Sequence, residues 1–459
     1  MIEIYKLDVV ERNRLYLHST HFNIHYNQTK DYLSVYTTLE QLVGGKHRKE
    51  LWCIVTNTAR ALKHKSKSLS VPTVWSVYTD NKQELSSKRM RHILSELTRF
   101  GFFTYYKGGF INVKKNEYVQ SVYVFTPLML DLWNSVDVSK ESSDVDAVQI
   151  KDRETKDVKS TRRVSGVADM RKVMDKYNEL LCSVDLTLDN QQLPVQQYTR
   201  IFCDSLELGG RLYNVVGGVQ TMKQEDRKRL KINGEDVCEL DFKALHPSIL
   251  YDKLYQQLPD VVDVWVEKAW GGEYNPYKHD DLESLIEIDY DAIERYKTKH
   301  NKPTYNPARN LMKVAVMISL NAMPHDKDES KRAYSSLAKE IAEDRLADEK
   351  DMRYYSLQAK INNVGKRVFP SKKVCELVQA VNMPLAKYFF SDAGIKLQRI
   401  DSDIMAYVVQ KLADIGEALY PEHDSVIVRK SLKEQAEVFM REAYRSVVGS
   451  DKFCFIEEK

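Results

Sequence analysis

Two short runs of strand-forming residues, each with an aspartate at one end, constrain the fold of this chain more than any other feature. Residues 235–242, Glu-Asp-Val-Cys-Glu-Leu-Asp-Phe, carry Asp241 near their end. Residues 425–428, Ser-Val-Ile-Val, follow directly on Asp424. Both compositions predict β-strands. If the two strands are neighbours in one sheet, they bring together two hard oxygen ligands of the kind that Mg²⁺ prefers.

A pair of carboxylates on adjacent rigid strands is what two-metal nucleotidyl transfer requires. In that chemistry two Mg²⁺ ions lie roughly 3.5–4 Å apart, one beside the attacking hydroxyl and one on the triphosphate. Asp241 alone has a simpler interpretation, because an aspartate commonly ends an edge strand or caps the next helix. The two aspartates indicate nucleotidyl transfer only if the chain also supplies cations that bind a triphosphate.

Residues 308–322 supply such cations on a predicted helix. Arg309 and Lys313 are four residues apart and therefore share one helical face. The apolar surface of the helix is formed by Leu311, Val314, Met317, Ile318 and Leu320. Two cations one turn apart can bind a triphosphate. The alternative is an amphipathic helix with a solvated basic edge.

This helix resembles the fingers helix of A-family DNA polymerases and of the related single-subunit phage-type RNA polymerases. In that family an arginine, a lysine four residues later and then Tyr-Gly stand at the offsets of Arg309, Lys313 and Asn321-Ala322. The resemblance assigns Arg309, Lys313, Met317 and Asn321 to the incoming nucleotide. It also makes Lys313 a catalytic residue, placed to protonate the leaving pyrophosphate.

Four further segments resemble motifs of the family, and all five occur in collinear order. One contains Gly210-Arg211-Leu212, Gln220 and Arg227. Another, Asp-Phe-Lys-Ala-Leu-His at residues 241–246, resembles motif A. Residues 398–405 resemble a helix that touches the template, and Glu-His-Asp-Ser at residues 422–425 resembles motif C. The implied roles are metal ligation by Asp241, Asp424 and the backbone at Phe242, and primer or template binding by Arg211, Gln220, Arg227, Gln398 and His423.

The resemblance implies an α+β, multi-domain, right-hand polymerase. Residues 206–459 are expected to form a palm with an antiparallel sheet and helical fingers, and residues 166–205 a reduced, helical thumb. The implied cofactors are two Mg²⁺ ions, for which Mn²⁺ can substitute. The implied partners are a DNA primer-template or a single-stranded template and dNTPs, with a helicase or a small accessory protein as further candidates.

Three positions that border the incoming sugar depart from the family. His246 replaces a glutamate, Asn321 replaces a tyrosine, and Met317 replaces an aromatic residue. The His246 ring can exclude a ribose hydroxyl, which favours dNTPs, or it can accept a hydrogen bond from that hydroxyl. The alternatives to a DNA polymerase are therefore a DNA-dependent RNA polymerase or RNA primase on the same fold, and a non-catalytic DNA-binding replication protein.

Residues 1–133 predict a winged-helix domain. A helix capped by Ser86 or Ser87 is followed by Gly101 and then by two strand-like runs. Basic residues on this helix and on the wing are placed to contact DNA phosphates, namely Lys88, Arg89, Arg91, Lys107, Lys114 and Lys115. A protein-docking module is the alternative, because winged helices serve both purposes.

Composition agrees with these predictions without suggesting them. Residues 134–165 are rich in charged and hydroxylated residues, which predicts a flexible linker. The six cysteines lack metal-site spacing, and the net charge of +3 confines any basic surface to a local patch. No signal peptide or membrane span is evident, so we expect a cytoplasmic protein without a membrane partner. The size and pattern of the N-terminal region predict no proofreading domain, which suits priming or gap filling in a phage or other mobile element.

Overall fold

The structure is a computed structural model of the chain, with a mixed α/β, multi-domain architecture and mainly antiparallel sheets. The structure describes residues 2–4, 7, 11, 15, 19–22, 28–72, 85–112, 117–138, 146–215, 218–300, 302–325, 328–345, 353–361 and 365–459.

The N-terminal unit contains a five-stranded sheet, a separate two-stranded hairpin and several helices. Its strands are β1 (Ile2–Glu3), β2 (Thr20–His21), β3 (Ser68–Val71), β4 (Phe103–Lys107), β5 (Gly109–Asn112), β6 (Glu117–Val119) and β7 (Ser121–Phe125). Its helices are α1 (Leu33–Val43), α2 (Arg48–Lys63), α3 (Ser87–Arg99) and α4 (Pro127–Trp133). The sheet order is β1-β4-β7-β3-β2, and β5 and β6 form a separate hairpin.

Helix α3 has the ends that the sequence predicts. The Ser86 side chain accepts a hydrogen bond from the backbone N–H of Arg89 at 3.4 Å and caps the helix. Gly101, just beyond its end, has a φ of +86°, which favours glycine. The helix is followed by β4 and β7, which pair in antiparallel fashion. The helix and the two strands are confirmed, and membership of the winged-helix class stays a prediction.

The rest of the chain builds the sheets that carry the site. Its strands are β8 (Val148–Lys151), β9 (Val158–Lys159), β10 (Leu186–Leu188), β11 (Gln191–Gln192), β12 (Tyr198–Cys203), β13 (Ser205–Asn214), β14 (Leu230–Ile232), β15 (Glu235–Phe242), β16 (Ile286–Ile288), β17 (Leu357–Ala359), β18 (Tyr420–Glu422), β19 (Ser425–Arg429) and β20 (Ile456–Glu458). The central sheet has seven strands in the order β11-β10-β14-β15-β19-β18, with β20 also paired to β15. A second sheet has the order β13-β12-β8-β9, and β16 pairs with β17.

Helices surround these sheets. They are α5 (Val167–Ser183), α6 (Gln224–Arg227), α7 (Leu245–Tyr255), α8 (Pro259–Trp270), α9 (Tyr290–His300), α10 (Pro307–Asn321), α11 (Lys331–Arg345), α12 (Ser371–Val381), α13 (Ala393–Asp414) and α14 (Lys433–Val448). Short 3₁₀ turns occur at Lys30–Tyr32, Gly45–His47, Val219–Thr221, Asp280–Ser284, Met383–Tyr388 and Lys430–Leu432. The long helix α13 is central, because it packs against β13, α5, α7, α10 and α14.

The chain has separate hydrophobic cores in its two main parts. One is built by buried residues between positions 22 and 133, and a larger one by residues between positions 147 and 454. Hydrogen bonds join the two parts: the backbone N–H of Val195 donates to the carbonyl of His64 at 2.6 Å, and the side-chain Nζ of Lys65 donates to the carbonyl of Val184 at 3.4 Å.

The structure corrects the prediction of a flexible linker over residues 134–165. Residues 146–165 are folded, because β8 pairs in parallel with β12 and buries Val148 and Ile150. The apolar alternation of β8 is only four residues long and lies among charged residues, so composition hides it. Residues 139–145 of the predicted linker lie outside the described residues.

In the predicted thumb region, residues 166–205, the predicted helix is confirmed as α5, whereas the segment as a whole is less helical than expected. Only α5 is helical, and its Tyr177 and Leu181 belong to the same core as the central sheet. The hydroxyl of Tyr177 donates to the carbonyl of Leu419 at 2.5 Å. The remainder of the segment forms β10, β11 and β12, which join the two sheets. This segment supports the sheets and does not stand apart from them.

Within the described ranges, no helix combines the length and the apolar composition needed to cross a membrane. All six cysteines are free thiols, and Cys53, Cys238, Cys375 and Cys454 are buried.

Candidate active site

The two predicted metal ligands lie at the same end of a pair of neighbouring strands, Asp241 on β15 and Asp424 in the turn just before β19. Strands β15 and β19 are antiparallel, with Asp241 opposite Ser425. The backbone N–H of Phe242 donates to the carbonyl of Asp424 at 3.1 Å. Asp424 itself lies in the two-residue turn between β18 and β19. The neighbouring strands that the sequence predicts are therefore present, with both aspartates at the same end of the pair.

The surroundings of Asp241 favour a bound cation. Its residue surface is 9% exposed, and burial together with the Asp424 carboxylate raises the pKa of Asp241 to about 6. The positive charges of Lys459 and Lys313 lower this pKa and so act in the opposite direction. The effect of Lys313 shows that α10 brings its charge into the field of the aspartates. A buried carboxylate and a half-buried one that repel each other are stabilised by a cation between them.

The donor set fits Mg²⁺. Two carboxylates and the backbone carbonyl near Phe242 offer hard oxygen ligands, and Mg²⁺ typically combines one or two carboxylates with water and substrate phosphates. In the part of the chain that the structure describes, no group of three or more His, Cys, Asp or Glu side chains forms a metal cage by itself. Asp241 and Asp424 are the side chains that would hold such an ion.

A lysine that the sequence analysis missed touches Asp241. Lys459 Nζ lies 2.9 Å from Asp241 Oδ1 and 3.6 Å from Glu239 Oε1. Strand β20 brings it there by pairing with β15 on the edge opposite β19. No motif surrounds this lysine in the sequence, so only the strand pairing reveals it.

Two further carboxylates, Glu239 and Glu422, lie next to the aspartates. Arg227 forms a bidentate ion pair with Glu239, at 2.9 and 3.0 Å, and its side chain is only 12% exposed. The guanidinium predicted to bind primer or template is therefore engaged within the protein. Burial raises the pKa of Glu422 to about 7, which the opposing charge of Arg227 does not offset.

The basic helix α10 begins and ends close to its predicted limits. The Asn306 side chain caps it by accepting a hydrogen bond from the backbone N–H of Arg309 at 2.9 Å, and Pro307 occupies its first position. The Arg309 guanidinium lies 5.4 Å from the centre of the Tyr277 ring, a cation–π contact. Lys313, one turn later, is exposed.

Tyr277 shows that the basic helix and the aspartates face a common region. Its side chain is buried, and burial raises its pKa. The charge of Arg309 lowers that pKa, whereas Asp424 and Asp241 raise it further. Tyr277 therefore lies in the electrostatic field of both groups. The sequence analysis did not single it out, because a lone tyrosine in a polar segment carries no motif.

The far end of α10 is fixed to the start of α13. Asn321, which is exposed, donates through Nδ2 to the carbonyl of Met317 at 2.7 Å. A Cβ atom on Gly394 would overlap the Asn321 amide, so the end of α10 and the start of α13 approach closely there. The backbone N–H of Phe390 donates to the carbonyl of Ser319 at 2.7 Å. The asparagine in place of the family's tyrosine thus packs against a glycine of the next helix.

Arg211, Asp401 and His246 form a buried network that the sequence predicts only in part. The Arg211 guanidinium lies 2.5 and 3.1 Å from Asp401 Oδ2, and His246 Nε2 lies 2.7 Å from the same oxygen. Asp401 is fully buried and His246 is 4% exposed. Arg211 is therefore engaged with Asp401, although the sequence analysis assigns it to primer and template. Asp401 was missed, because the family resemblance gave its position no role.

His423 lies beside Asp424 in the turn before β19, and its pKa is lowered from the ordinary histidine value. Burial lowers its pKa, and the charge of Arg211 lowers it further, against the opposing effects of Asp424 and Asp401. Its ring forms an edge contact with Tyr213, with centroids 6.4 Å apart. It lies next to the aspartate pair, in the region where the resemblance expects a primer end.

Three non-glycine residues with a left-handed backbone surround this region. Ala244, between β15 and α7, has a φ of +53°; His423, in the turn before β19, has +55°; and Asp392, before α13, has +57°. Such conformations cost of order 1–3 kcal/mol each and cluster at functional sites. These residues stand at the junctions before α7, before β19 and before α13.

Gln220 and Gln398 differ in their freedom to bind a ligand. Gln220 donates to the carbonyls of Leu212 and Pro421, both at 3.0 Å, and accepts from the backbone N–H of Asn214 at 2.7 Å. It joins β13 to β18 and has little capacity left for DNA. Gln398 lies half-exposed on α13.

In the N-terminal unit, the predicted DNA-binding residues are on the surface. Lys88, Arg89 and Arg91 are exposed on α3, and Arg89 lies 3.7 Å from the buried Glu50. Lys107 lies 4.0 Å from a glutamate of β1. Lys114 and Lys115, the other predicted wing residues, lie outside the described residues.

Known proteins resemble this chain at the level of three-dimensional structure. No protein-family model and no curated protein matches the chain. Among solved structures, the POL domain of Pol1 from M. smegmatis in complex with DNA primer-template and dNTP matches with a TM-score of 0.28 and 13% identity. The match covers 64% of this chain and 51% of that chain, so the chain spans about half the length of that structure.

Proposed function

We propose that this chain is a template-directed nucleotidyl transferase that extends a DNA primer with dNTPs. The observation that carries the proposal is the placement of Asp241 and Asp424 on paired strands, with the charge of Lys313 in the field of Asp241. Hard anionic ligands and triphosphate-binding cations thus converge from a sheet and a helix that are distant in sequence. The five collinear motifs support the same conclusion.

Different residues carry out metal binding, triphosphate binding and proton donation in this reaction. The primer 3′-hydroxyl releases its proton to water as it attacks the α-phosphorus of the nucleotide; a new P–O bond forms and the bond to pyrophosphate breaks. Asp241 and Asp424 would hold two Mg²⁺ ions, which supply activation of the hydroxyl and neutralisation of the phosphate charge. Arg309 and Lys313 bind the triphosphate, and Lys313 donates a proton to the leaving pyrophosphate. Positioning and charge neutralisation account for most of the catalysis in such transfers.

The N-terminal unit would anchor the enzyme on duplex DNA. The exposed Lys88, Arg89 and Arg91 occupy one end of α3 and are suited to phosphate contacts. A small polymerase with its own DNA-binding unit suits priming or gap filling in a phage or mobile element.

A primer-extension assay with dNTPs and NTPs offered separately tests the proposal. We expect Asp241→Asn and Asp424→Asn each to lose about 4 kcal/mol of transition-state stabilisation, roughly a thousandfold in rate, because each removes a metal ligand's charge at constant volume. Asp236→Asn is the matched control, since Asp236 lies on the same strand with a side chain 61% exposed.

Each result of this assay has a defined meaning. Substantial extension by either pure site variant contradicts the two-metal assignment. Extension by the wild type with NTPs only identifies an RNA polymerase or RNA primase. If the wild type binds DNA but incorporates neither class of nucleotide, the chain is a non-catalytic replication protein.

A further inference from the structure

The last strand of the fold, β20, delivers a positive charge to the motif A carboxylate. It pairs with β15 in an antiparallel register that sets Glu457 opposite Asp241. The backbone N–H of Lys459 then donates to the carbonyl of Glu239 at 3.0 Å. Residues opposite one another in a sheet share a face. The register therefore directs the Lys459 side chain to the face that carries Glu239 and Asp241.

The ammonium group has Asp241 as its principal partner. Its Nζ atom lies 2.9 Å from Asp241 Oδ1 but 3.6 Å from Glu239 Oε1. Glu239 already has a bidentate partner in Arg227 and accepts a hydrogen bond from the Ser425 hydroxyl at 2.9 Å. Asp241 has no comparable second cation in contact among the ion pairs of the described residues. Lys459 is thus the group that neutralises this carboxylate.

A protonated lysine and a divalent ion compete for such an oxygen. The ammonium has no lone pair and cannot become a metal ligand. A Mg²⁺ ion bound at its usual distance of about 2.0–2.1 Å from a carboxylate oxygen would face a like charge within a few ångströms. The Lys459 side chain is 29% exposed and unbranched, so it can turn away into solvent.

We propose that Lys459 is a positioning residue that holds the Asp241 carboxylate in the metal-free protein and is displaced when a divalent ion binds. It thereby lowers the affinity for that ion and keeps the site formed before metal and nucleotide arrive. This inference rests on the proposed function, because it concerns the same metal site.

Direct metal binding to the full chain tests the proposal without nucleotide or DNA. The variant is Lys459→Met, which keeps an unbranched side chain and removes the charge. The matched control is Lys433→Met, because Lys433 pairs with Glu458 of the same strand at 2.6 Å and has no ion pair with Asp241. The probe is Mn²⁺, with the free ion measured by electron paramagnetic resonance. Thermal unfolding is recorded in EDTA and in Mn²⁺.

We expect Lys459→Met to bind Mn²⁺ about two- to fivefold more tightly than the wild type, the range that one partly exposed ion pair supplies. Its unfolding temperature should fall in EDTA and recover in Mn²⁺, whereas Lys433→Met should show neither effect. Unchanged or weaker Mn²⁺ binding by Lys459→Met, in a protein that still extends primers, overturns this inference alone. If the wild type and Asp241→Asn both bind no Mn²⁺ and extend no primer, the proposed function fails as well.

Discussion

At the scale of single residues, the site is a set of charges held in surroundings that do not favour them. Asp241 is buried beside a second aspartate, Glu422 is buried beside a third carboxylate, and Asp401 is buried between a guanidinium and an imidazole. Burying a charge is costly unless it is paired. Asp241 and Glu422 therefore carry unfavourable charge interactions, whereas Asp401 is paired with Arg211 and His246.

We expect Asp241→Asn to stabilise the metal-free protein increasingly as the pH rises from about 4 to about 6. Burial and Asp424 raise the pKa of Asp241 from 3.8 to about 6, so the folded protein holds this proton more tightly than the unfolded chain does. Below this window the carboxyl is neutral in both states, and above it the folded protein carries the unfavourable charge. The variant's advantage in unfolding free energy should grow by up to about 3 kcal/mol.

Urea unfolding in EDTA at a series of pH values measures this difference. Asp236→Asn provides the control, because Asp236 lies on the same strand with an exposed side chain. A flat difference between Asp241→Asn and the wild type would show that the carboxyl is not under electrostatic stress.

The choice of sugar is expected to depend on His246. Its ring is fixed by Asp401, with 2.7 Å between Nε2 and Oδ2, so its position does not adapt to the nucleotide. We expect His246→Ala to raise NTP incorporation relative to dNTP incorporation by roughly 10- to 100-fold, because the small side chain no longer excludes the 2′-hydroxyl. The ratio of the two kcat/KM values measures the effect.

The opposite result is equally informative. A wild-type enzyme that prefers NTPs and loses this preference in His246→Ala would show that the imidazole recognises ribose. Asp401→Asn, which keeps the volume of the partner, separates the two cases, since it loosens the ring without removing it.

At the scale of elements, the basic helix α10 is positioned from both ends. Asn306 caps its start, and Gly394 and Phe390 hold its end against the start of α13. Arg309 lies in the capped first turn, so the position of a triphosphate-binding group depends on the cap. Contacts at both ends therefore hold the helix in place.

We expect Asn306→Ala to lower the free energy of unfolding by about 1 kcal/mol, because the Arg309 N–H loses its acceptor. The KM for dNTP should rise more than kcat falls, since the change displaces a binding group and not a metal ligand. Steady-state primer extension separates the two parameters. Asn306→Asp retains the cap and should restore both values; if it does not, the cap is not the cause.

Sequence patterns predicted the elements whose signals are local. The periodicity of α10, the cap and glycine of α3, and the composition of β15 and β19 all lie within single segments. The contacts that complete the site come from pairing over long distances. Nothing near Lys459 or Asp401 in the sequence indicates that the first meets Asp241 or that the second meets Arg211. The short strand β8 was not predicted for the same reason, because only its pairing with β12 distinguishes it from a linker.

At the scale of the whole molecule, the two hydrophobic cores define two parts with different tasks. The N-terminal core contains Trp52, Leu94 and Phe125, and the larger core contains the residues around α13. Each part can bury its own apolar surface, which is the main source of stability in a domain.

The first part alone, residues 1 to about 133, is therefore expected to bind duplex DNA. Binding should be weak and should fade as salt is raised, because Lys88, Arg89 and Arg91 would displace counterions from phosphates. A gel-shift or anisotropy titration at several salt concentrations measures it, with Arg89→Met as the variant and the exposed Lys30→Met, outside α3, as its control. A folded fragment that shifts no duplex even at low salt would instead identify a protein-docking domain.

The separation of the two cores also bears on how such a chain can change over generations. They share no residues, so a recombination event between residues 138 and 146 leaves both complete. Of the two hydrogen bonds described between the parts, one joins backbone to backbone, from Val195 to His64, and the other uses the Lys65 side chain as donor to the carbonyl of Val184. A different N-terminal unit would therefore need a backbone acceptor at the position of His64 and a side-chain donor at that of Lys65 to keep both contacts. Such an exchange would leave the residues around Asp241 and Asp424 in place.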